Sequence, residues 1–457
     1  MTSHIPTPLT VAIIGGGAAG TLATVILAKL SNIGRITLLD RDGRFGRGLA
    51  YSAKEKWHRI NVPAFKMGGV GADDQEAFVD WLAANNHVTG PDYSTSFVPR
   101  FVYGDFLCAQ LADVEAGGRL DKRHDSALGV ERCGASYRVA TVSGDVIEAD
   151  LVFLCIGNHP PSGFAGVEPS LRSISNVWAA GALDPIGADD RVLVIGTGAT
   201  AVDVVIDLVH RGVRSEITMV SRRGLLPQVD VVTPVDPDPV TVWPVRTVRG
   251  LFRSLREDIR RKAAAGIPWQ TAIDSFRLQT KAFWTGFSQA EQARFSRHMR
   301  SIWLAHRHRL APDVAERLAR WQRDGQVRVI PGRILSAAAT SSGYDLTIRA
   351  RGNKTIALAP NWVLNCTGPE ERYDRLDDPL VKSLLATGRV RPGPQGLGLD
   401  VDPGCRLIDA SGHPQPGFFA IGPATRGTFW EVTSATNIRQ QLVGVAETLV
   451  KPASRDS

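Results

Sequence analysis

Residues 10–30, TVAIIGGGAAGTLATVILAKL, decide the first part of the fold. The apolar run at residues 11–14 predicts a buried strand, a glycine-rich turn follows it, and the remaining residues are compatible with a helix. In the motif Gly15-x-Gly17-x-x-Gly20, the first glycine permits a tight turn, the second lets the backbone approach a pyrophosphate, and the third lets the helix pack on the strand. The order of strand, turn and helix predicts a dinucleotide site, with phosphates facing the helix start.

The next strand strengthens this prediction. Residues 35–40, RITLLD, read as a second strand, and Asp40 lies twenty residues after Gly20. A carboxylate at that spacing can accept hydrogen bonds from a ribose. The alternative is an ordinary α/β turn that binds no nucleotide.

A second unit of the same kind occupies residues 191–208, RVLVIGTGATAVDVVIDL. It again gives a strand, the turn Gly196-x-Gly198-x-x-Ala201 and a helix. Alanine in the third position slightly loosens the packing of helix on strand. Two such units indicate two dinucleotides, and an enzyme with two dinucleotides usually passes hydride from a nicotinamide to a flavin. We therefore assign FAD to the first site.

The strand after the second unit indicates which nicotinamide cofactor is used. Residues 216–220 end in Ser221-Arg222-Arg223, with no carboxylate where a ribose partner would lie. A hydroxyl and two guanidinium groups suit a 2′-phosphate, so NADPH is predicted over NADH. Solvated arginines at the surface are the alternative.

Three further segments read as late strands of the two units, each ending in a small-residue turn. They are DLVFLCIGN at residues 150–158 with Gly157, NWVLNCTG at 361–368, and GFFAIGP at 417–423 with Gly422 and Pro423. The last would feed a helix aimed at the flavin. The predicted fold class is α/β, with two Rossmann-like dinucleotide-binding domains for FAD and NADP.

We expect a discontinuous FAD-binding domain at residues 1–186 and 370–457, with an NAD(P)-binding domain at 187–369 placed between its two parts. Residues 239–325 show helical patterns, among them Leu251, Leu255 and Ile259 with arginines around them, and predict a helical insertion in the second domain. The length of 457 residues fits two domains, since single cores rarely exceed about 300 residues.

Composition excludes several classes of protein. Hydrophobic residues make up 43% and charged residues 22%, which is ordinary for a globular enzyme. The net charge of +7 is mild for this length, so no nucleic-acid partner is expected. The most apolar stretch is the first glycine unit itself, and we expect a cytoplasmic protein with no membrane partner. The five cysteines form no CxxC pair, which favours reduced, structural thiols, and no metal site is expected.

The ordered set of motifs resembles the largely uncharacterised bacterial FAD/NAD(P)-binding proteins related to flavin-dependent monooxygenases. The motifs are VAIIGGGAAG, GRGLAYS followed by HRINVPA, FVPRFVYGDFL, VIGTGATAVD, SRRGLLP, WLAHRHRLAP, NCTGP and FAIGPATRGTFWEVTSATNIRQQ. They span residues 11–441, nearly the whole chain. The resemblance implies a flavoprotein with two dinucleotide-binding domains.

The resemblance also implies roles for residues around the flavin. Gly15, Gly17, Gly20 and Asp40 would hold the ADP half of FAD, and the segment Asn61, Val62 and Pro63 would run beside the ribityl chain or the ring. Many flavoproteins have Gly-Asp at the end of the last strand, whereas this chain has Gly422-Pro423. Flavin contacts there would come from the backbone or from the stretch that holds Thr428, Trp430 and Glu431.

The candidate catalytic residues are Asn61, Trp430 and Glu431. Glu431 would orient the substrate or exchange a proton, and its alternative is a helix-start carboxylate that complements the helix dipole. Arg439 would complement charge on the flavin or substrate, or would be solvated or ion-paired.

Two other features of the predicted insertion attract attention. The HRHR run at residues 306–309 is interpreted as a basic surface face, with contact to an anionic substrate or NADPH as the alternative. Tryptophans concentrate in the insertion, where core packing is favoured over the lining of a substrate pocket; they are Trp243, Trp269, Trp284 and Trp303.

The leading functional hypothesis is an FAD-dependent, NADPH-using monooxygenase that oxidises a small metabolite with molecular oxygen through a C4a-(hydro)peroxyflavin. One alternative is an NAD(P)H-dependent flavin reductase or dehydrogenase without oxygen insertion. Another is a non-catalytic FAD-binding redox module. The absence of a CxxC pair argues against a disulfide reductase, which needs a dithiol within reach of the flavin.

Overall fold

The computed structural model describes residues 7–71, 74–85, 93–163, 166–232 and 245–450. Up to the first residues of the second glycine unit its elements are β1 (Leu9–Ile14), α1 (Ala18–Ala28), β2 (Ile33–Asp40), α2 (Ala77–Ala84), α3 (Arg100–Ala116), β3 (Leu120–His124), β4 (Ala127–Cys133), β5 (Ser136–Thr141), β6 (Val146–Ala149), β7 (Leu151–Leu154), β8 (Ser173–Ile174) and β9 (Val192–Ile195).

The remaining elements, in chain order, are α4 (Ala199–His210), β10 (Ile217–Ser221), α5 (Val248–Ala264), α6 (Trp269–Arg277), α7 (Thr280–Gly286), α8 (Gln289–Arg294), α9 (Arg300–Arg307), α10 (Pro312–Arg323), β11 (Val327–Ala339), β12 (Tyr344–Ala350), β13 (Thr355–Leu358), β14 (Trp362–Asn365), α11 (Pro379–Ala386), β15 (Arg406–Ile408), β16 (Pro414–Ala420), α12 (Arg426–Phe429) and α13 (Ala435–Val450).

The first glycine motif lies at the centre of a six-stranded sheet with the order β15-β16-β7-β1-β2-β3. All neighbours are parallel except β15 and β16. The central strands β1 and β7 are continuous apolar runs because helices cover both faces of a parallel sheet. Helix α1 is buried along almost its whole length, and it packs against α3 and α13. This sheet therefore takes strands from both ends of the chain.

The second glycine motif belongs to a seven-stranded sheet with the order β13-β12-β11-β10-β9-β14-β8. Strands β8, β14, β9, β10 and β11 are parallel, and β11, β12 and β13 form an antiparallel edge. Strand β8, at residues 173–174, pairs with this sheet although it precedes residue 187. The two parallel sheets, each with a glycine turn and helix, confirm the predicted α/β fold class. A small antiparallel sheet of β4, β5 and β6 completes the first unit.

Helices α5 to α10 connect β10 to β11 and form the helical insertion. Thr247 caps the start of helix α5, and its side chain accepts a hydrogen bond from the Gly250 N–H. The helix buries Leu251 and Leu255, while its arginines face outward. A π-helical turn, Phe295–Met299, joins α8 to α9. The apolar core of the insertion includes Leu397 and Trp430, which come from the C-terminal part of the chain. The insertion is therefore packed on the segment between β16 and α13, through Trp430, and on the stretch before β15, through Leu397. Trp243 and the start of the predicted insertion lie outside the described residues.

Candidate functional site

The first glycine turn leaves no room for side chains. Gly15 has a φ of +106°, and a Cβ there would lie 2.3 Å from the carbonyl oxygen of Cys155. A Cβ on Gly20 would lie 1.9 Å from the carbonyl oxygen of Gly15. Gly17 precedes α1 without a side-chain cap, so the first N–H groups of the helix are available to an anion.

Asp40 lies at the end of β2 and closes the turn from the side. Its carboxylate accepts hydrogen bonds from the backbone N–H groups of Gly16 at 2.9 Å, Asp42 at 3.0 Å and Arg44 at 3.0 Å. The carboxylate is therefore fixed beside the glycine motif, where a ribose partner is expected.

A second glycine-rich loop contacts the first, and sequence reasoning assigned it no role. The Gly46 N–H donates to the carbonyl oxygen of Gly16 at 2.9 Å. A Cβ on Gly17 would lie 3.2 Å from the Cα of Gly48. The cluster GRFGRG at residues 43–48 was the available signal, since repeated glycines mark places where two backbones come close.

Asn61, Val62 and Pro63 follow a short extended segment, and they lead into a 3-10 turn at Ala64–Lys66. Asn61 and Val62 are half-buried and Pro63 is buried. Within the described residues, the Asn61 side chain makes no hydrogen bond, which leaves its amide available to a ligand.

Arg439 is neither solvated nor ion-paired within the described residues. It is buried on α13, and its guanidinium donates to the carbonyl oxygens of Met67 at 3.2 Å and Gly69 at 2.6 Å. These bonds tie α13 to the chain that follows Pro63. Arg439 thus holds the backbone beside the predicted flavin segment in place.

Trp430 has a strained backbone. Its φ of +63° is rare for a large L-residue, and such strain often marks functional segments. The indole is buried, stacks on Trp284 with 4.6 Å between ring centroids, and meets Phe295 edge-on at 5.2 Å. The core of the insertion therefore holds this residue in its conformation.

Glu431 is buried and does not begin a helix, because α13 begins four residues later at Ala435. Its carboxylate accepts a hydrogen bond from the Trp303 Nε1–H at 2.8 Å and pairs with the Arg307 guanidinium at 3.4 Å. Burial alone would raise the pKa of Glu431, but Arg307, His308 and the hydrogen bond from Trp303 outweigh it and hold that pKa below its usual range. Glu431 is a carboxylate at neutral pH.

The interpretation of the HRHR run as a basic surface face is wrong. Arg307 and Arg309 are 3% and 1% exposed, and their partners are carboxylates from distant parts of the chain. Arg309 pairs with Asp230 at 2.9 Å and with Asp274 at 2.5 Å. Burial and the charge of Arg307 lower the pKa of His308 to about 4, so His308 is neutral at neutral pH.

Two further ion-pair groups, both partly buried, connect the insertion to the rest of the molecule. Lys66, just after the Asn61–Pro63 segment, pairs with Asp274 of α6 at 2.9 Å. Glu371 pairs with Arg300 of α9 and with Arg426. Sequence reasoning missed these pairs because their members are far apart along the chain.

The second glycine turn has the same geometry as the first. Gly196 has a φ of +125°, and a Cβ there would lie 2.1 Å from the carbonyl oxygen of Cys366. Gly198 precedes α4 with open space around it, and Ala201 is fully buried against the sheet. An alanine methyl is therefore accommodated at the third position.

The predicted 2′-phosphate partners lie at the end of β10. The Ser221 hydroxyl is bonded to the Thr197 hydroxyl at 2.8 Å and accepts the Gly224 N–H at 3.0 Å, so it shapes the turn. Arg222 and Arg223 are exposed, and neither makes an ion pair with any residue that the structure describes.

The remaining predicted cofactor residues lie in turns after the sheet strands. Gly157 has a φ of +67° and follows β7, and its carbonyl oxygen accepts a hydrogen bond from the Tyr373 hydroxyl at 3.4 Å. Gly422 has a φ of +76°, and its N–H donates to the Gln441 side chain at 2.9 Å. Pro423 is half-buried in the 3-10 turn that follows.

The tryptophans of the insertion form part of its core. Trp284 and Trp303 are buried, and Trp269 packs against the same cluster. All five cysteines are free. Burial raises the pKa of the Cys155 and Cys366 thiols, so neither is a thiolate at neutral pH.

Comparisons with known proteins agree with this geometry. Residues 12–159 match a family model described as FAD-NAD(P)-binding, which confirms the predicted resemblance for the first unit. No curated protein sequence matches. Among the described residues, no helix is long and apolar enough to cross a membrane.

Solved structures share the fold along nearly the whole chain. The FAD-bound cadaverine monooxygenase of the desferrioxamine pathway from Erwinia amylovora is 12% identical with a TM-score of 0.66, covering 99% of this chain and 97% of that one. The ornithine N-hydroxylase of Kutzneria sp. 744, with reduced FAD, NADP+ and L-ornithine, is 15% identical with a TM-score of 0.62, covering 97% and 99%. A thioredoxin reductase from Lactococcus lactis is 13% identical with a TM-score of 0.51, covering 96% and 97%. At these identities the likeness establishes the fold.

Proposed function

We propose that this chain is an FAD-dependent, NADPH-using monooxygenase that oxidises a small metabolite, acts in the cytoplasm and uses molecular oxygen. The observation that carries the proposal is the packing of the helical insertion on Trp430 and Glu431, which come after α12 in the stretch between the last strand of the first sheet and α13. A monooxygenase transfers one atom of oxygen to its substrate after reduced flavin has reacted with oxygen. This reaction needs a chamber that excludes water. The monooxygenases that share this fold support the same choice.

The first glycine turn fits the pyrophosphate of FAD. Its backbone is free of side chains, α1 presents uncapped N–H groups, and the loop that holds Gly48 bounds the site on the opposite side. The residues proposed to hold FAD are Gly15, Gly17, Gly20, Asp40, Asn61, Val62, Pro63, Gly157, Gly422 and Pro423. The proposed FAD-binding domain comprises residues 1–186 and 370–457. The strands of the first sheet support this division except near residues 173–174, where β8 pairs with the second sheet.

The second glycine turn is assigned to NADPH, in a domain at residues 187–369. Gly196, Gly198 and Ala201 would face the pyrophosphate. Because the Ser221 hydroxyl is already bonded within its turn, preference for the 2′-phosphate would depend on Arg222 and Arg223.

A bound flavin supplies hydride acceptance and oxygen activation, and the protein supplies orientation and a dry pocket. The Asn61 amide is proposed to hydrogen-bond at the flavin or the substrate. The Trp430 ring, fixed by Trp284, would exclude water from the same region. Glu431 is ionised at neutral pH, so its proposed role is to orient a substrate through its carboxylate or to exchange a proton, and its lowered pKa favours the orienting role.

The experiment is anaerobic reduction of the FAD-loaded protein by NADPH, followed by rapid mixing with oxygen and recording of spectra. In a monooxygenase, NADPH should bleach the absorbance of the flavin. After mixing with oxygen, a transient spectrum should appear that differs from those of the oxidised and the reduced flavin. NADH serves as the matched control reductant.

Two outcomes contradict the proposal. Single-phase reoxidation that releases hydrogen peroxide, together with rapid reduction of a quinone, would assign the chain to the flavin reductases. Failure of both NADPH and NADH to bleach the flavin would point to a non-catalytic redox module.

A further inference from the structure

A cavity of about 400 Å³ lies between α13 and the junction of α6 with α7. Its inner end is formed by Glu431, and its walls combine charged, polar and apolar side chains. Among these are Arg277, Leu278, Lys281, Phe429 and Asn437. This volume is within the usual range for pockets that bind small molecules.

The charges near Glu431 and Arg277, the two members of this group that line the cavity, are not balanced. The shell of buried and partly buried charges that includes them contains six cationic side chains and four carboxylates. The cations are Lys66, Arg277, Arg300, Arg307, Arg309 and Arg426, and the carboxylates are Asp230, Asp274, Glu371 and Glu431. Each carboxylate already has at least one cationic partner, and the shell lacks two negative charges.

Arg277 is the cation left without a partner. Within the described residues its guanidinium makes no ion pair and no hydrogen bond, whereas each of the other five cations has a carboxylate partner. Burial and the nearby charge of Arg307 lower the pKa of Arg277 to about 10, which still leaves it charged at neutral pH. Arg277 is partly buried, and a partly desolvated cation that lines a cavity is stabilised when an anion enters that cavity.

Lys281 and the apolar residues of the walls add to the preference of the cavity for an organic anion. Lys281 is exposed, and its ammonium lies 4.7 Å from the centre of the Phe429 ring. It therefore carries a second positive charge on the wall of the cavity. Leu278, Phe429 and Val445 provide apolar surface for the rest of a ligand.

We propose that this cavity binds a small organic carboxylate with an apolar body, and that Arg277 pairs with the carboxylate. The inference rests on the proposed function, for which it names the substrate class. A planar guanidinium binds a carboxylate through two parallel hydrogen bonds, which gives both affinity and orientation. The carboxylate would anchor the molecule near Glu431.

The test is calorimetric titration of the FAD-loaded protein with benzoate, with benzamide as the uncharged ligand of the same shape. Benzoate should bind and benzamide should bind at least about tenfold more weakly, as expected for loss of a charge-assisted pair. Arg277→Gln should weaken benzoate binding by at least the same factor. Arg297→Gln, which changes an exposed arginine in the neighbouring π-helical turn, should leave benzoate binding unchanged.

Phenyl phosphate is titrated in parallel, because a phosphate carries the same sign of charge. Tighter binding of phenyl phosphate than of benzoate, equal binding of benzoate and benzamide, or equal benzoate binding by wild type and Arg277→Gln would each overturn the inference. If Arg277→Gln loses its flavin, Arg277→Lys is titrated with benzoate instead, because a lysine keeps the charge and loses the bidentate geometry. A dissociation constant for benzoate equal to that of the wild type contradicts the proposal.

Failure here is separable from failure of the proposed function. The wild-type protein is tested for bleaching by NADPH without any carboxylate present. Normal bleaching with no preference for benzoate would remove the inference alone, whereas absence of bleaching would remove the proposed function.

Discussion

Replacement of Glu431 by glutamine tests whether the buried charge network holds the insertion on the first unit. The Glu431→Gln side chain would keep an acceptor for the Trp303 indole but would lack the charge opposite Arg307. The carboxylate and the guanidinium of this pair belong to side chains that are 6% and 3% exposed, and they lie 3.4 Å apart. With an effective dielectric constant near 20, the lost attraction is about 5 kcal/mol. Breaking buried pairs typically costs about 3–5 kcal/mol, so the two estimates agree.

The appropriate assay is hydrogen exchange of the peptide that covers α9, Arg300–Arg307, because a chain with two domains need not unfold in one step. A loss of about 3–5 kcal/mol should lower the protection of α9 by roughly two to four orders of magnitude. Glu447→Gln, which changes an exposed carboxylate on α13, is the matched control and should leave α9 protection unchanged.

A double-mutant cycle with Arg307→Met separates the pair from other effects of each substitution. The double variant should be less destabilised than the sum of the two single variants, with a coupling energy of about 2–3 kcal/mol between Glu431 and Arg307. Additive effects within about 0.5 kcal/mol would mean that Glu431 and Arg307 do not stabilise each other, and that this pair does not hold the insertion in place.

Three further predictions concern the cofactors and pH. Gly17→Val should give protein without bound FAD in absorbance spectra, because its side chain would fill the space before Gly48, whereas Gly286→Ala, at an open position, should stay yellow. Changing Arg222 and Arg223 to glutamine should raise KM for NADPH far more than KM for NADH; equal changes would contradict the assignment. The pKa of His308 is lowered to about 4 in the folded protein, so as pH falls His308 is protonated in the unfolded chain before it is protonated in the folded chain. Stability should therefore decline between about pH 6.5 and 4, and His308→Gln should remove up to about 3 kcal/mol of that decline in denaturation measured against pH.

The sequence alone predicted the strand, turn and helix of both glycine units, because the residue pattern of each unit lies within one short stretch. A strand, a glycine turn and a helix lie within about twenty residues, and Gly15, Gly20 and Gly196 each stand where a side chain would clash with the backbone. The contact of Gly46 with Gly16 could have been predicted for the same reason, because Gly46 belongs to the short glycine cluster at residues 43–48.

The charge network could not be predicted in this way. Arg309 looks like part of a basic face because its neighbours in sequence are basic, yet its partners Asp230 and Asp274 are 79 and 35 residues away. Charge patterns along a chain describe a solvated helix unless the tertiary fold brings opposite charges together. The conformation of Trp430 was equally inaccessible, because a positive φ at a tryptophan is imposed by packing against Trp284 and Phe295.

The ion pairs give the insertion a role beyond covering the site. Lys66 lies just after the Asn61–Pro63 segment. Glu371 lies after β14 of the second sheet, and Glu431 lies after β16 of the first sheet. Each is paired with a residue of α6 or of α9. Apolar packing alone would bury the same surfaces, but it would fix their relative positions less sharply than pairs that tolerate only one geometry. The glycine turns are the proposed cofactor sites, while the segments that hold Lys66, Glu371 and Glu431 are each fixed to the insertion by an ion pair.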